Sequence, residues 1–252
     1  MLFRSRLADL PIVSARTCYP PKWVAVGIAT AEHMKTNGPG SRIYSLFFLE
    51  RPEPIVVTDF FISTPSLLPW IEENHPLRGM TAEAVYRYIL RKYFRPRAAV
   101  LDAAQSFYDR HLAGAPNIAV HMRGSDKKDE TKTTALLPEY FQHLDEADKN
   151  TRIFLFTDDA RCIEPFRERY GARVVTADVL RTETDIGVHH TGGLDKVRLG
   201  MEAMTEVYTA LLCGRFLGNG MSNMSAFVSV LKDWPEDACV LLNGSILQIS
   251  LT

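Results

Sequence analysis

The sequence lacks most features that would assign a chain to a special environment. Its four cysteines, Cys18, Cys162, Cys213 and Cys239, are scattered through 252 residues and form no CxxC pair. That spacing gives neither a zinc signature nor a disulfide framework. Cys213 closes an apolar helical pattern and Cys239 sits in an apolar run, so both read as small core residues. No stretch reaches the ~18 apolar residues that cross a bilayer. The opening MLFRSRLADLPIVSA lacks the apolar run and small-residue cleavage site of a secretory signal. A soluble cytoplasmic protein is therefore expected. An excess of one charge is missing too: 29 basic against 30 acidic side chains leave a formal net charge of −1. No global field attracts nucleic acid or an acidic membrane, and no local basic stripe replaces it. No GxGxxG follows the first strand of either half, which argues against a dinucleotide-dependent oxidoreductase. Internal repeats and low-complexity tracts are absent as well.

What is present is an ordinary globular composition, 46% hydrophobic and 23% charged. It is long enough for one large domain or for two lobes of about 110–140 residues. The second half reads most clearly. Short apolar runs at 117–122, 152–157, 172–176, 215–218 and 238–242 predict strands. Helical stretches lie between them near 138–147, 160–170 and 222–232. A further helix follows from Val197, Met201, Met204, Tyr208 and Leu211, which recur in alternating steps of four and three. Strands alternating with helices predict an α/β domain with a parallel sheet, whose polar loops gather beyond the carboxyl ends of the strands. The first half predicts strands at 23–29 and 55–61 and helices at 82–94 and 98–112, while 41–51 fits either. The break at 111–116 (HLAGAP) divides a smaller α/β lobe, 1–114, from a C-terminal lobe, 115–252.

Three loops at that carboxyl edge carry chemistry. The first is His121-Met-Arg123-Gly-Ser-Asp126-Lys127. A guanidinium at Arg123 matches two phosphate oxygens, Asp126 can orient it, and Lys127 adds positive charge. An Arg–Asp ion pair tying a loop to its own strand explains the same residues. The second is the turn from Gly218 to Ser225, where a helix opens and Ser222 or Asn223 can cap it or donate to a phosphate. An ordinary helix cap is the competing reading. The third is Asp158-Asp159, one carboxylate suited to ribose or base and the other to capping the next helix. The adjacent pair lacks DxD spacing, so no metal site is expected there. His189 and His190 precede Gly192-Gly193 without carboxylate or cysteine company, which predicts a lid or solvated turn rather than a metal site. Glu202 and Glu206 share a helix face, solvated or functional, beside Lys196. The Asn37–Arg42 segment fits a phosphate- or acceptor-facing glycine loop but reads better as a plain turn.

Taken in order, five segments resemble the fucosyltransferase superfamily: VHMRGSDK (120–127), Pro138-Glu-Tyr140 opening a helix, IFLFTDD (153–159), GVHH (187–190) and LLCGRFLGNGMSNMSAFV (211–228). That superfamily includes α-1,6-, nodulation and protein O-fucosyltransferases, and the resemblance spans roughly residues 85–242. It implies a GT-B fold of two Rossmann-like lobes, with a GDP-fucose donor held mainly by the C-terminal lobe. It implies sugar transfer to a glycan or other hydroxyl with inversion, needing no metal or other cofactor. On this resemblance His121 and Arg123 bind the donor, the arginine at its β-phosphate. Asp126 and Lys127 match the Asp-Lys that follows. Asp158 and Asp159 lie near the nucleoside, and Ser222 and Asn223 at the diphosphate with Ser225 close by. Glu206 falls near an expected aspartate, and Glu130 near the expected base. A second arginine of the family pattern is replaced by Gly124, and the N-terminal lobe is short, either compact or lacking a part. Another nucleotide-sugar donor, and a non-catalytic nucleotide-binding or scaffold role, are the alternatives.

Overall fold

In the computed structural model of the chain, the described residues are 18–19, 55–56, 65, 68–127, 129 and 132–248. The sequence-predicted elements at 23–29 and 41–51, the turn at 37–42 and Glu130 lie outside them. The chain divides into two compact units, one built mainly from Glu72–Ile249 and the other from Phe3–Ile71. In the second unit, strands β1 (Cys18–Tyr19) and β2 (Ile55–Val56) pair in parallel.

The first unit begins at two helices. Both lie where apolar spacing predicts: α1 (Ala82–Tyr93), capped by the Thr81 hydroxyl, and α2 (Ala98–His111). Strand β3 (Asn117–Met122) follows, then α3 (Thr133–Asp145), β4 (Arg152–Thr157), α4 (Glu164–Tyr170) and β5 (Val174–Val175). The chain continues through α5 (Lys196–Leu212), β6 (Arg215–Asn219), α6 (Asn223–Leu231) and β7 (Cys239–Leu242). All five strands are parallel, in the order β5-β4-β3-β6-β7. The central strands β3 and β4 are apolar on both faces. Ile118, Val120, Ile153 and Leu155 pack one way, against Leu136, Tyr140 and Phe166 of α3 and α4. Ala119, Phe154 and Phe156 pack the other way, against Val207 and Ala210 of α5 and Val228 of α6. A parallel sheet covered on both faces has near-continuous apolar strands for this reason. Among the described residues no helix is long and apolar enough to cross a membrane.

One detail departs from the sequence reading, and a second adds to it. Helix α3 starts at Thr133, so Pro138 lies inside it rather than opening it. An interior proline removes one backbone hydrogen bond and costs about 3 kcal/mol. Leu136, Tyr140 and Leu144 recur every four residues and are all buried. Burying such side chains contributes about 1.5–3 kcal/mol each, and together they outweigh the proline. In α5 the buried line is Glu206, Val207, Thr209 and Ala210, turned away from the start of the apolar stripe, where Val197 is 50% exposed. Further along, Met204, Tyr208 and Leu211 of the stripe are half-buried against the same core.

This face assignment is testable by urea unfolding. Val207→Ala is expected to cost about 2 kcal/mol, whereas Val197→Ala stays within about 0.5 kcal/mol. Equal losses would contradict the burial described.

Candidate functional site

From β3 the chain moves outward through β4 and β5, then returns to place β6 on the other side of β3. Beyond the carboxyl end of β3 the connections therefore diverge, leaving a crevice where ligands of open α/β sheets bind. A cavity of about 490 Å³ occupies this place. Its walls include His121, Arg123 and Lys127 after β3 and Thr157 and Asp158 after β4. Met221, Ser222 and Asn223 come from the turn into α6, and Glu202 and Glu206 from α5. The arginine loop and the glycine turn, separated by about a hundred residues of sequence, thus face one space.

The loop after β3 is held by the two aspartates after β4. Arg123 donates to Asp158 Oδ2 at 2.6 Å and to Asp126 Oδ1 at 2.8 Å. The Gly124 amide donates to Asp158 Oδ1 at 2.9 Å, and the Ser125 amide to Asp159 Oδ2 at 3.1 Å. The Thr133 hydroxyl at the start of α3 donates to the Arg123 carbonyl. The Arg–Asp pair foreseen as a structural alternative therefore exists, and the same guanidinium lines the cavity. Burial acts to raise the Asp126 carboxyl, but the Ser125 hydroxyl and the Arg123 guanidinium outweigh it and hold the pKa below its ordinary value.

Asp159 takes the capping role. Its side chain is 3% exposed and accepts from the Arg161 amide at 2.9 Å and the Arg161 guanidinium at 2.6 Å. Burial alone would raise its pKa, yet the bonds from Arg161 and Ser125 lower it. It lines a separate cavity of about 290 Å³ rather than the larger one. Gly124 belongs to the same contact: a Cβ there would lie 2.3 Å from the Asp159 Cβ. No arginine fits at position 124.

At the glycine turn the glycines serve packing within the protein. A Cβ on Gly218 would meet the Ser225 hydroxyl at 2.6 Å, and one on Gly220 would meet the Gly244 carbonyl at 1.6 Å. Both glycines make room for the protein itself. Ser225 is fully buried, with its Oγ 2.7 Å from His121 Nδ1, tying β3 to α6. Burial pushes the His121 pKa down to about 4, so the ring is neutral at physiological pH. Ser222 caps α6 by backbone conformation, while its side chain makes no capping hydrogen bond and lines the cavity. First-turn amides of a helix have no acceptor within it, and they complete a site suited to an anion.

Glu206 is buried rather than solvated, and it pairs with Arg181 at 3.1 Å. Arg181 also donates to the carbonyls of Thr157, Ala177 and Val179. Sequence reading missed this arginine, since nothing local announces that a loop side chain will reach a helix 25 residues on. It anchors the segment after β5, whose Val179, Leu180, Val188 and His189 close one side of the cavity. Burial raises Glu206 to about 8 against the opposing pull of Arg181.

A carboxyl raised on folding stabilises most below its unfolded-state pKa and loses that contribution as pH rises through its folded value. Urea titrations of wild type and Glu206→Gln between pH 5 and pH 9 are expected to show the variant gaining relative stability up to about pH 8. A pH-independent difference would contradict the raised value.

No protein-family model and no curated relative match the chain. Solved structures do. The selenomethionine form of the fucosyltransferase NodZ from Bradyrhizobium is similar at 16% identity and a TM-score of 0.50, covering 90% of this chain and 67% of that one. NodZ α-1,6-fucosyltransferase co-crystallised with GDP gives 17% identity and 0.48 over the same shares. POFUT1 in complex with GDP gives 16% and 0.43, over 78% of this chain and 56% of that one. At such identities the likeness is one of fold, and the fold is fucosyltransferase-like.

Proposed function

We propose that the chain is a glycosyltransferase that moves a sugar from a nucleoside diphosphate, GDP-fucose first among donors, to a glycan or other hydroxyl acceptor. Transfer proceeds with inversion and with no metal ion in the step. In this reading residues 115–252 form the nucleotide-sugar lobe and the acceptor-side lobe of a GT-B arrangement lies within 1–114, of which 72–114 belong to the same compact unit as the sheet. The observation that carries it is a shared wall. Arg123 and the start of α6 line one cavity of about 490 Å³ at the point where the strand order reverses. That volume lies in the range of small-molecule sites.

As the glycosidic bond breaks, negative charge grows on the leaving β-phosphate. Donors fixed in advance around that charge stabilise the transition state more than the ground state. Asp126 and Asp158 hold the Arg123 guanidinium in place for this role. The first-turn amides of α6 and the Ser222 hydroxyl act from the opposite wall, and Lys127 adds a second positive charge. Glu206, next to Glu202 on the cavity wall, is the proposed contact to the nucleoside. Glu130 is the proposed general base that takes the acceptor's proton.

One observation favours a second reading, nucleotide binding without transfer. Two carboxylates already face the one guanidinium, which weakens the site's field toward a diphosphate.

A thermal-shift series with GDP, UDP and ADP is expected to give stabilisation by GDP, since a ligand bound only by the folded state raises its melting temperature. Arg123→Ala should weaken GDP binding and lower transfer from GDP-fucose by about 10²–10³, with the circular dichroism spectrum unchanged. Normal turnover in that variant would remove the basis of the proposal. Tight GDP binding without turnover across glycan acceptors would favour the second reading.

A further inference from the structure

The 3-10 turn Val188–His190 carries two imidazoles that the donor reading does not use. In sequence they have no acidic companion within reach. In the fold Asp126, from the loop after β3, supplies it. One ligating atom each from Asp126, His189 and His190 lie within 4.8 Å of one another. The aspartate's oxygens are divided between two tasks. Its Oδ1 accepts from Arg123 at 2.8 Å and from the Ser125 hydroxyl at 3.0 Å. Its Oδ2 lies 3.9 Å from His190 Nε2. The backbone closes tightly over the group: a Cβ on Gly187 would meet a carbon of the His189 ring at 2.7 Å and Asp126 Oδ1 at 2.9 Å. A side chain at 187 would displace one of these two groups.

From this convergence we infer a binding site for a borderline divalent cation of the zinc type, formed by Asp126 Oδ2 and the rings of His189 and His190. Two imidazoles and one carboxylate are a donor set for zinc, cobalt or nickel rather than magnesium. Zinc sits about 2.0–2.2 Å from such ligands and so holds them roughly 3.4 Å apart. The 3.9 Å pair needs only a small rotation of the His190 ring, which is largely exposed. Asp126 Oδ2 is the oxygen not engaged by Arg123, and it faces His190. Three protein ligands leave a coordination position for water.

The ion takes no step in sugar transfer, although the site shares Asp126 with the support of Arg123. Its effect is mechanical. His189 belongs to the segment that closes one side of the large cavity, and Asp126 to the loop that bears Arg123. An ion shared between them fastens the segment to the loop. Lys196 already supports the turn from below, donating to the carbonyls of His189 and Thr191 at 2.6 and 3.0 Å. The cation completes the fastening on the cavity side.

The test uses the full chain, stripped with a chelator and titrated with zinc chloride against a chromophoric zinc indicator. One equivalent is expected to bind. His189→Ala and His190→Ala should each lower the affinity at least about tenfold, while His143→Ala, on α3, leaves it unchanged. Amide exchange across residues 186–195 should slow on zinc addition in the wild type and stay unchanged in both variants. Absence of stoichiometric binding, or binding that survives both substitutions, would overturn the inference. Neither readout involves a nucleotide, so this outcome is independent of the transferase reading.

Discussion

The arrangement around the cavity depends on a grip between two neighbouring loops. Carboxylates at the end of β4 hold the backbone and the arginine of the loop that leaves β3. Asp158 receives the Arg123 guanidinium and the Gly124 amide, and Asp159 receives the Ser125 amide. Hydrogen bonds to charged acceptors contribute about 1.5–3 kcal/mol each, more than neutral ones. Leaving such a carboxylate half-buried without its partners costs more than the bonds give. The grip thus fixes where the guanidinium points, and it requires glycine at 124 because the Asp159 side chain fills the space a Cβ would need.

The topology then gives the grip its use. β3 is the central strand, with β4 on one side and β6 on the other. Whatever β4 holds in place is presented to the opening of α6 across the same crevice. The His121–Ser225 hydrogen bond secures that second side from beneath, with a ring kept neutral by burial. Apolar packing on both faces of the sheet supplies the rigidity on which these polar contacts are set. A site built on strand ends in this way keeps its groups oriented before a ligand arrives, and such preorganisation distinguishes electrostatic catalysis from simple binding.

The segment after β5 is a different kind of structure. It carries little regular secondary structure: a backbone bridge ties Thr182 to Asp158 and Ala160, and side chains hold the rest, Arg181 beneath it, Lys196 at its far end and Arg161 at Thr184 and Asp185. Few apolar contacts and many side-chain ties describe a region that opens at lower free energy than the sheet does. Glu206 sits where this segment meets α5. Its raised pKa links the local ion pair to pH.

The sheet was legible in the sequence. Its strands appear as short apolar runs because parallel strands are buried on both faces, and β4 matches the predicted boundaries. The helices at 82–93 and 98–111 were legible from their spacing as well. The start of α3 was not, since proline chemistry is a local signal that tertiary packing overrides. Glu206 looked like one more acid on a helix until Arg181 and the sheet enclosed it. Sequence order identified His121, Arg123, Asp158 and Ser222 as polar residues at strand ends, and parallel-sheet geometry alone required those ends to share an edge. Which aspartate holds the arginine, which one turns inward to cap, and that two loop histidines meet Asp126 were decided only in three dimensions. Apart from the local cap on Arg161, those outcomes depend on contacts between residues 34 to 64 positions apart, a separation over which no local pattern carries information.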